Sequence, residues 1–411
     1  MAGTLTSLFR QAVSKHKDHR MKEEATANVA YPTGFLNFDF ANGTIVHVQD
    51  NDKDFKYCSV GIQDGCLVTI IGRSGCGKTT WTVQAAANIV RPFPNGTIFH
   101  DDIEGGINAY RREQLTGFSS EEMESKYIIR NSGITLENFY ERIKIIHDLK
   151  MNNRADYEYD TGLFDSNGNR IFKLQPTVYI IDSIALLMPA QYTEEEELSG
   201  SMSATAAAKG NSLAFKRIIP MLKSANIIIM AINHINQNID INPMQKKKAQ
   251  VSYLKQSETL PGGNFLIYAT NILIRLDDNT KLKPDEAFGI YGNFVDMTLI
   301  KSRNSRANNT CTLVFDQNSG FDPDLSLFLM LKEAKVISGA GAYLYLPSLP
   351  EIKFSQKNFK QKLNENPELK QAFIEFAMNM LKSTLTESTQ NKHVQDYSVT
   401  NDILSQLSID I

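Results

Sequence analysis

The chain has 411 residues, 42% of them hydrophobic and 22% charged, with a formal net charge of −3. That is ordinary globular composition, long enough for two or three domains or for one large core. The slightly acidic total excludes a uniformly basic nucleic-acid coat, so any contact with DNA or RNA must be local. No apolar run approaches the roughly 20 residues that a membrane span needs, so no membrane partner is expected. Cys58, Cys66, Cys76 and Cys311 follow neither a metal-ligand spacing nor a disulfide framework. They read as reduced thiols, which points to a cytoplasmic, intracellular setting.

At the N-terminus, Leu5, Leu8, Phe9, Ala12 and Val13 recur at helical spacing and are followed by basic residues from Lys15 to Lys22. This narrow stripe in residues 1–30 predicts an oligomerisation helix that docks either on its own domain or on a neighbouring subunit. Its basic, hydroxyl-rich character up to Asp18 is compatible with a transit peptide, which ranks below an interaction helix. Residues 31–337 then alternate strand-like and helix-like segments. Strands are expected at Leu67–Ile71, Thr97–His100, Ile143–His147, Thr177–Ile181, Asn226–Ile232, Thr270–Leu276, Met297–Lys301 and Cys311–Phe315. Helices are expected at 79–90, 107–116, 135–142 and 203–224. The first five strands are apolar throughout, as strands buried on both faces should be. The ordering is α/β with a mostly parallel central sheet. Two stretches read as insertions: 45–61, polar and expected to be a loop, and 152–174, which has the pattern of a β-hairpin around an Asn-Gly turn. A small C-terminal region covers 338–383, with Phe359, Leu363, Leu369, Phe373, Phe376 and Met380 as its apolar positions. The tail, 384–411, is polar and expected to be loose, with Ile403, Leu404, Leu407 and Ile409 as docking candidates.

The segment Gly72, Arg73, Ser74, Gly75, Cys76, Gly77, Lys78, Thr79 fits G-x-x-x-x-G-K-[ST], the phosphate-cradling loop. It follows an apolar β-branched run and opens a helix at Thr80, which is the context the motif requires. The glycines let backbone N–H groups turn toward phosphates without an intervening Cβ. Lys78 would reach the β and γ phosphates, and the Thr79 hydroxyl would ligate Mg²⁺. ATP with Mg²⁺ is the expected cofactor. The strand Thr177–Ile181 ends in Asp182, placed to hold the metal through water at the carboxyl end of the sheet. After the strand Thr97–His100 come Asp101, Asp102 and Glu104. Hydrolysis needs a group to orient and deprotonate water. Glu104 is the candidate, with Asp101 and Asp102 as rivals. A third apolar strand ends in Asn233 and His234, polar tips that could sense the γ-phosphate.

Together these elements resemble the RecA family of homologous-recombination ATPases, its phage recombinase branch in particular, over about Tyr31 to Leu381. The most specific likeness is Glu258-Thr-Leu-Pro-Gly-Gly-Asn264, leading into the strand that ends at Arg275 and Leu276. Leu299-Ile-Lys301-Ser-Arg303-Asn-Ser-Arg306 and Gly339-Ala-Gly-Ala-Tyr-Leu-Tyr345 add to it. The resemblance implies a RecA-like P-loop ATPase core and a DNA-dependent ATPase activity. It gives Lys78, Thr79 and Asp182 to the triphosphate and metal, Glu104 to the attacking water, and His234 to γ-phosphate sensing. Lys301 and Arg303 would reach the nucleotide of the adjoining subunit, and Tyr110 would lie beside the base. DNA would be held by two loops. The first falls within 192–208, where four acids, Glu194 to Glu197, depart from what a DNA-facing surface wants and leave Ser199–Thr205 as the stretch facing DNA. The second, 235–263, carries Lys246, Lys247, Lys248 and Lys255 with Tyr253, and ends at Gly262 and Gly263. Lysines there would neutralise phosphates and the tyrosine could stack on a base. Taken alone, a triple-lysine run reads as a solvated loop. The partners implied are single-stranded DNA, homologous duplex DNA and further copies of the chain in a filament. Two other classes compete: a ring helicase sharing the ATPase core, and a DNA-coating protein that binds ATP without turning it over.

Overall fold

The computed structural model of the chain describes residues 29–50, 53–165, 168–192, 202–237, 254, 258–261, 264–279 and 288–389. A nine-stranded sheet organises them. In chain order its strands are β1 (Leu67–Gly72), β2 (Thr97–Asp102), β3 (Tyr127–Arg130), β4 (Thr177–Asp182), β5 (Ile227–His234), β6 (Ile272–Asn279), β7 (Gly292–Ser302), β8 (Asn309–Asp316) and β9 (Gly320–Asp322). In space they lie in the order β9-β8-β7-β6-β1-β5-β4-β2-β3. The pairs from β6 through β3 are parallel, and those from β6 through β9 antiparallel. The chain is therefore α/β with a mixed, mostly parallel central sheet.

Both faces of the parallel part are covered, which is why β1, β4 and β5 are almost wholly buried. Alternation along β1 sorts its side chains. Val68 and Ile70 face helix α1 (Lys78–Val90), where Trp81, Val83 and Ala85 to Ala87 pack. Leu67 joins Tyr179, Ile181 and Ile229 on the other side, against α2 (Leu136–Asn152) and α3 (Met202–Ala225) through Phe139, Ile143, Phe215 and Ile218.

The expected strand at Ile143–His147 is not one: it lies inside α2. Leu136, Phe139, Ile143, Ile146 and Lys150 are the buried positions, a spacing of three and four that only a helix brings to one face. The helix expected over 135–142 therefore runs on to Asn152, started by the Thr135 hydroxyl accepting from the Asn138 N–H. The expected loop at 45–61 is also corrected. It forms a hairpin, Thr44–Asp50 paired antiparallel with Lys53–Ser59. Val46 and Val48, two residues apart, are buried and so share one face of the strand. The 152–174 insertion is the hairpin the sequence predicts, Glu158–Phe164 with Arg170–Leu174. The two insertions meet where the Tyr57 hydroxyl donates to the Phe164 carbonyl at 3.0 Å. The edge strand β3, the short helix Ser120–Lys126 before it and the helix α4 (Pro323–Glu333) were not expected, although Ser119 with Glu122 forms a capping box and Asp322 with Pro323 marks the start of α4.

After Ile337 a three-stranded sheet (Ser338–Ala340, Tyr343–Leu346, Leu349–Phe354) precedes the helices Phe359–Glu365 and Pro367–Thr389. Gly339 has φ 94, and a Cβ there would come within 2.0 Å of the Tyr343 carbonyl oxygen. Leu344, Phe354, Phe359, Leu363, Leu369 and Phe373 share one apolar cluster with Phe294, Val314 and Phe328 of the strands and α4. Phe328 is central, with ring centroids 4.6 Å from Phe359, 5.6 Å from Phe288 and 6.3 Å from Phe354. The N-terminal helix expected over Leu5 to Val13 and the tail positions from Ile403 to Ile409 lie outside the described residues. Among the described residues no helix is long and apolar enough to cross a membrane. Phe328→Ala should lower the unfolding free energy by about 3–5 kcal/mol, measured by denaturant titration, because the fully buried ring leaves a cavity among other rings.

Candidate nucleotide site

The register of the parallel strands gathers the predicted site residues. His234 at the end of β5 pairs with Gly72 at the end of β1, and Asp182 at the end of β4 pairs with Asp102 at the end of β2. Four neighbouring strands thus finish at one edge, and the phosphate loop springs from that edge. Gly75 and Gly77 have φ of 83 and 84, the left-handed region where a side chain is strained. A Cβ on Gly77 would meet the Phe321 ring at 2.8 Å, and one on Gly72 the Leu276 carbonyl oxygen at 2.5 Å. Gly77 caps α1, so the helix's free N–H groups point into the loop. Arg73, Ser74 and Gly75 are exposed while Cys76 and Lys78 are buried. Thr80 is half-buried on the first turn of α1.

Lys78 Nζ donates to the Arg73 carbonyl at 2.8 Å and lies 3.4 Å from His234 Nδ1. An ammonium only donates, so Nδ1 is the accepting nitrogen of a neutral imidazole. Nε2 then carries the proton and donates to Glu104 Oε1 at 2.7 Å. His234 therefore stands between the lysine of the loop and the candidate base. The Thr79 hydroxyl donates to Asp182 Oδ2 at 2.5 Å. Asp182 is 3% exposed, and burial pushes its carboxyl up to about 6 against the pull of the Thr79 hydrogen bond. Its Oδ1 is buried and, among the described residues, unpartnered. A hydroxyl and an unsatisfied carboxylate oxygen side by side are a fitting donor set for hydrated Mg²⁺, the hydroxyl binding directly and the carboxylate through water. Glu104, Asp182 and His234 each offer a ligand atom within 4.8 Å of the others.

The rivals of Glu104 are engaged elsewhere. Asp101 accepts from the Tyr179 hydroxyl at 2.6 Å and the Arg142 guanidinium at 2.9 Å. Asp102 accepts from the backbone N–H of Gly106 and Ile107 at 3.1 and 3.3 Å, closing the turn over Glu104. The backbone of that turn is fastened to β4, since Ile103 and Glu104 N–H both donate to the Asp182 carbonyl. Only Glu104 of the three faces the loop with its side chain partly exposed. Sequence spacing left all three open because it does not reveal which carboxylates already have donors.

Tyr110 stands on the first turn of the helix Ala109–Thr116, 74% exposed and without a fixed ring partner in the described structure. Lys301 and Arg303 are not at this edge. Leu276 pairs with both Gly72 and Met297, whereas Lys301 pairs with Leu273. Four residues of strand put Lys301 roughly 13 Å below the loop's level, and Arg303 is farther on. Arg303 and Arg306 instead border a cavity of about 700 Å³ with Phe40, Met330 and Leu381, at the far end of the sheet. Lys301 Nζ donates to the Tyr268 carbonyl, and burial with nearby Arg303 holds its ammonium below the usual range. Lys246, Lys247, Lys248, Tyr253, Lys255, Gly262 and Gly263 lie outside the described residues, as does most of 192–208. The flanks of that second loop are described. Asn236–Gln237 pairs with Glu258–Thr259 immediately after His234, and Leu254 and Leu260 pack with Ile71 and Leu273.

Sequence reasoning missed the pair Glu258–Arg275. Arg275 donates to both Glu258 carboxylate oxygens, at 2.8 and 3.1 Å, and also to Asp277. The two residues stand 17 positions apart in the chain, so their pairing shows only with the strand register in hand.

The sequence matches no protein-family model and no curated protein. Lys78→Ala should weaken binding of a fluorescent ATP analogue by on the order of 30- to 150-fold, the loss of a charge-assisted contact worth about 2–3 kcal/mol. Equilibrium titration checks it.

Proposed function

We propose that this chain is a RecA-like, DNA-dependent ATPase that assembles on single-stranded DNA, with ATP between adjacent copies, and pairs that strand with homologous duplex. The observation that carries the reading is the position of His234. One imidazole touches Lys78 of the phosphate loop, holds Glu104, and opens the segment that contains Lys246 to Lys248. A residue so placed can report the state of the phosphate site to a cationic segment and restrain the base when no phosphate competes for it.

In this reading Lys78 neutralises the terminal phosphates, Thr79 and Asp182 hold Mg²⁺, and Glu104 orients and deprotonates water. The bound metal supplies charge neutralisation on the phosphate oxygens. His234 turns its Nε2–H from Glu104 to a γ-phosphate oxygen, frees Glu104 and fixes the start of the following segment; loss of the phosphate reverses this and loosens the hold on DNA. Lys301 and Arg303, remote from the site of their own chain, complete the pocket of the next copy and stabilise charge on the transferring phosphoryl. Head-to-tail contact of this kind repeats without closing and yields a filament.

Glu104→Gln should retain ATP binding and lower phosphate release ~10²- to 10⁴-fold, the usual contribution of a general base. Turnover unchanged by that substitution would move the base elsewhere. Replacing Lys246, Lys247 and Lys248 with glutamine should lower the slope of log affinity for oligothymidylate against log salt by about 2. Electron micrographs of the protein with single-stranded DNA and a slowly hydrolysed ATP analogue should contain helical filaments. Closed hexamers would give the function to the ring helicases instead.

A further inference from the structure

Arg73, the first residue of the phosphate loop after Gly72, is half exposed, yet its guanidinium lies 3.6 Å from the Glu258 carboxylate, whose side chain is fully buried. Glu258 is gripped on its other side by both terminal nitrogens of Arg275. Arg275 is itself nearly buried and fixed by Asp277. Glu258 opens the short strand that pairs with Asn236–Gln237, in the register Gln237 with Glu258 and Asn236 with Thr259. Gln237 is three residues beyond His234.

Two threads therefore run from the phosphate loop to this strand pair. One passes from Lys78 to His234 and enters where the pair begins. The other passes from Arg73 to Glu258 and enters where the intervening segment returns. The second thread has a geometric weakness that suits a switch. Arg275 already satisfies both oxygens of Glu258, so Arg73 is the extra and outer cation, and the Arg73 backbone carbonyl receives both Lys78 Nζ and the Cys76 thiol. A triphosphate that draws Lys78 away from that carbonyl alters the loop at the residue whose side chain faces Glu258. The carboxylate cannot follow, because Arg275 and the strand pair hold it.

We propose that Arg73, acting through the Glu258–Arg275 pair, is a positioning residue that links occupancy of the phosphate loop to the strand pair Asn236–Gln237/Glu258–Thr259, and so fixes the far end of the DNA-gripping segment as His234 fixes its near end. This rests on the function proposed above. By linkage, a nucleotide that tightens the segment's hold on DNA is itself held more tightly when DNA is bound.

The test uses the full chain with Mg²⁺ and a slowly hydrolysed ATP analogue. Amide hydrogen exchange at Glu258, Thr259 and Leu260 is followed with and without the analogue, and the analogue's affinity is measured with and without oligothymidylate. In the wild type the analogue changes exchange at these amides. In Arg73→Gln, compared at equal analogue saturation, that change should disappear while exchange at Gln237 still responds through His234. The enhancement of analogue affinity by DNA should fall by about fivefold or more. Arg73→Lys, which keeps the charge, should restore most of both. Glu258→Gln should match Arg73→Gln, and the double variant should be no worse than either. Should Glu258→Gln fail to fold, Arg73→Gln decides alone, since its side chain is at the surface. A nucleotide response at Glu258–Leu260 that is the same in Arg73→Gln as in the wild type would overturn the proposal. A protein that binds the analogue but no DNA would overturn the proposed function instead, leaving the exchange result to decide the link. A wild type that binds no analogue overturns both.

Discussion

Asp182 pairs with Asp102, and His234 with Gly72, at the ends of four adjacent parallel strands. That shared finishing line is the constraint from which the site's chemistry follows. Parallel strands share one direction, so the side chains at their carboxyl ends are brought to the same edge of the sheet. The cost of the convergence is visible at Asp182, whose carboxyl is pushed up to about 6 by burial beside Glu104 and Asp102. A carboxylate kept under that pressure, with one oxygen on Thr79 and the other unpartnered among the described residues, is poised to bind a cation.

The surrounding hydrogen bonds divide three neighbouring acids into different tasks. Asp101 is anchored by Tyr179 and Arg142, and Asp102 spends both oxygens on the turn beyond Glu104. Glu104 is left with a histidine as its partner, a contact that a phosphate oxygen can displace. Its freedom is thus produced by the immobility of the other two. Charge alone would have made the three equivalent.

Much of this was legible in the sequence. The glycine pattern of the loop, the apolar strands with acidic tips and the α/β alternation are local signals, and local signals survive in a one-dimensional reading. The hairpin at 152–174 was legible for the same reason. What was lost depends on faces and partners. Ile143, Ile145 and Ile146 read as a strand because β-branched residues favour one, yet Phe139 and Lys150 extend the buried stripe at helical spacing. The hairpin at 44–59 read as a loop because polar residues interrupt its apolar ones. Which of Asp101, Asp102 and Glu104 is available, and that Arg275 clasps Glu258, are facts of pairing between residues far apart in the chain, beyond any spacing rule. The placement of Lys301 and Arg303 also needed the antiparallel register of β6 and β7.

Cys76 has a chemical consequence of its own. A sulfur atom inside a phosphate-binding loop is a natural target for peroxides and alkylating agents. Here it is 1% exposed, donates to the Arg73 carbonyl, and is pushed up to about 11 by burial. At neutral pH only about one molecule in ten thousand would carry the nucleophilic anion. The protein can therefore keep a small, soft, space-filling group in this loop and still endure oxidative stress there, as it can at Cys311, where burial pushes the thiol up to about 12, while the half-buried Cys58 would meet such reagents first.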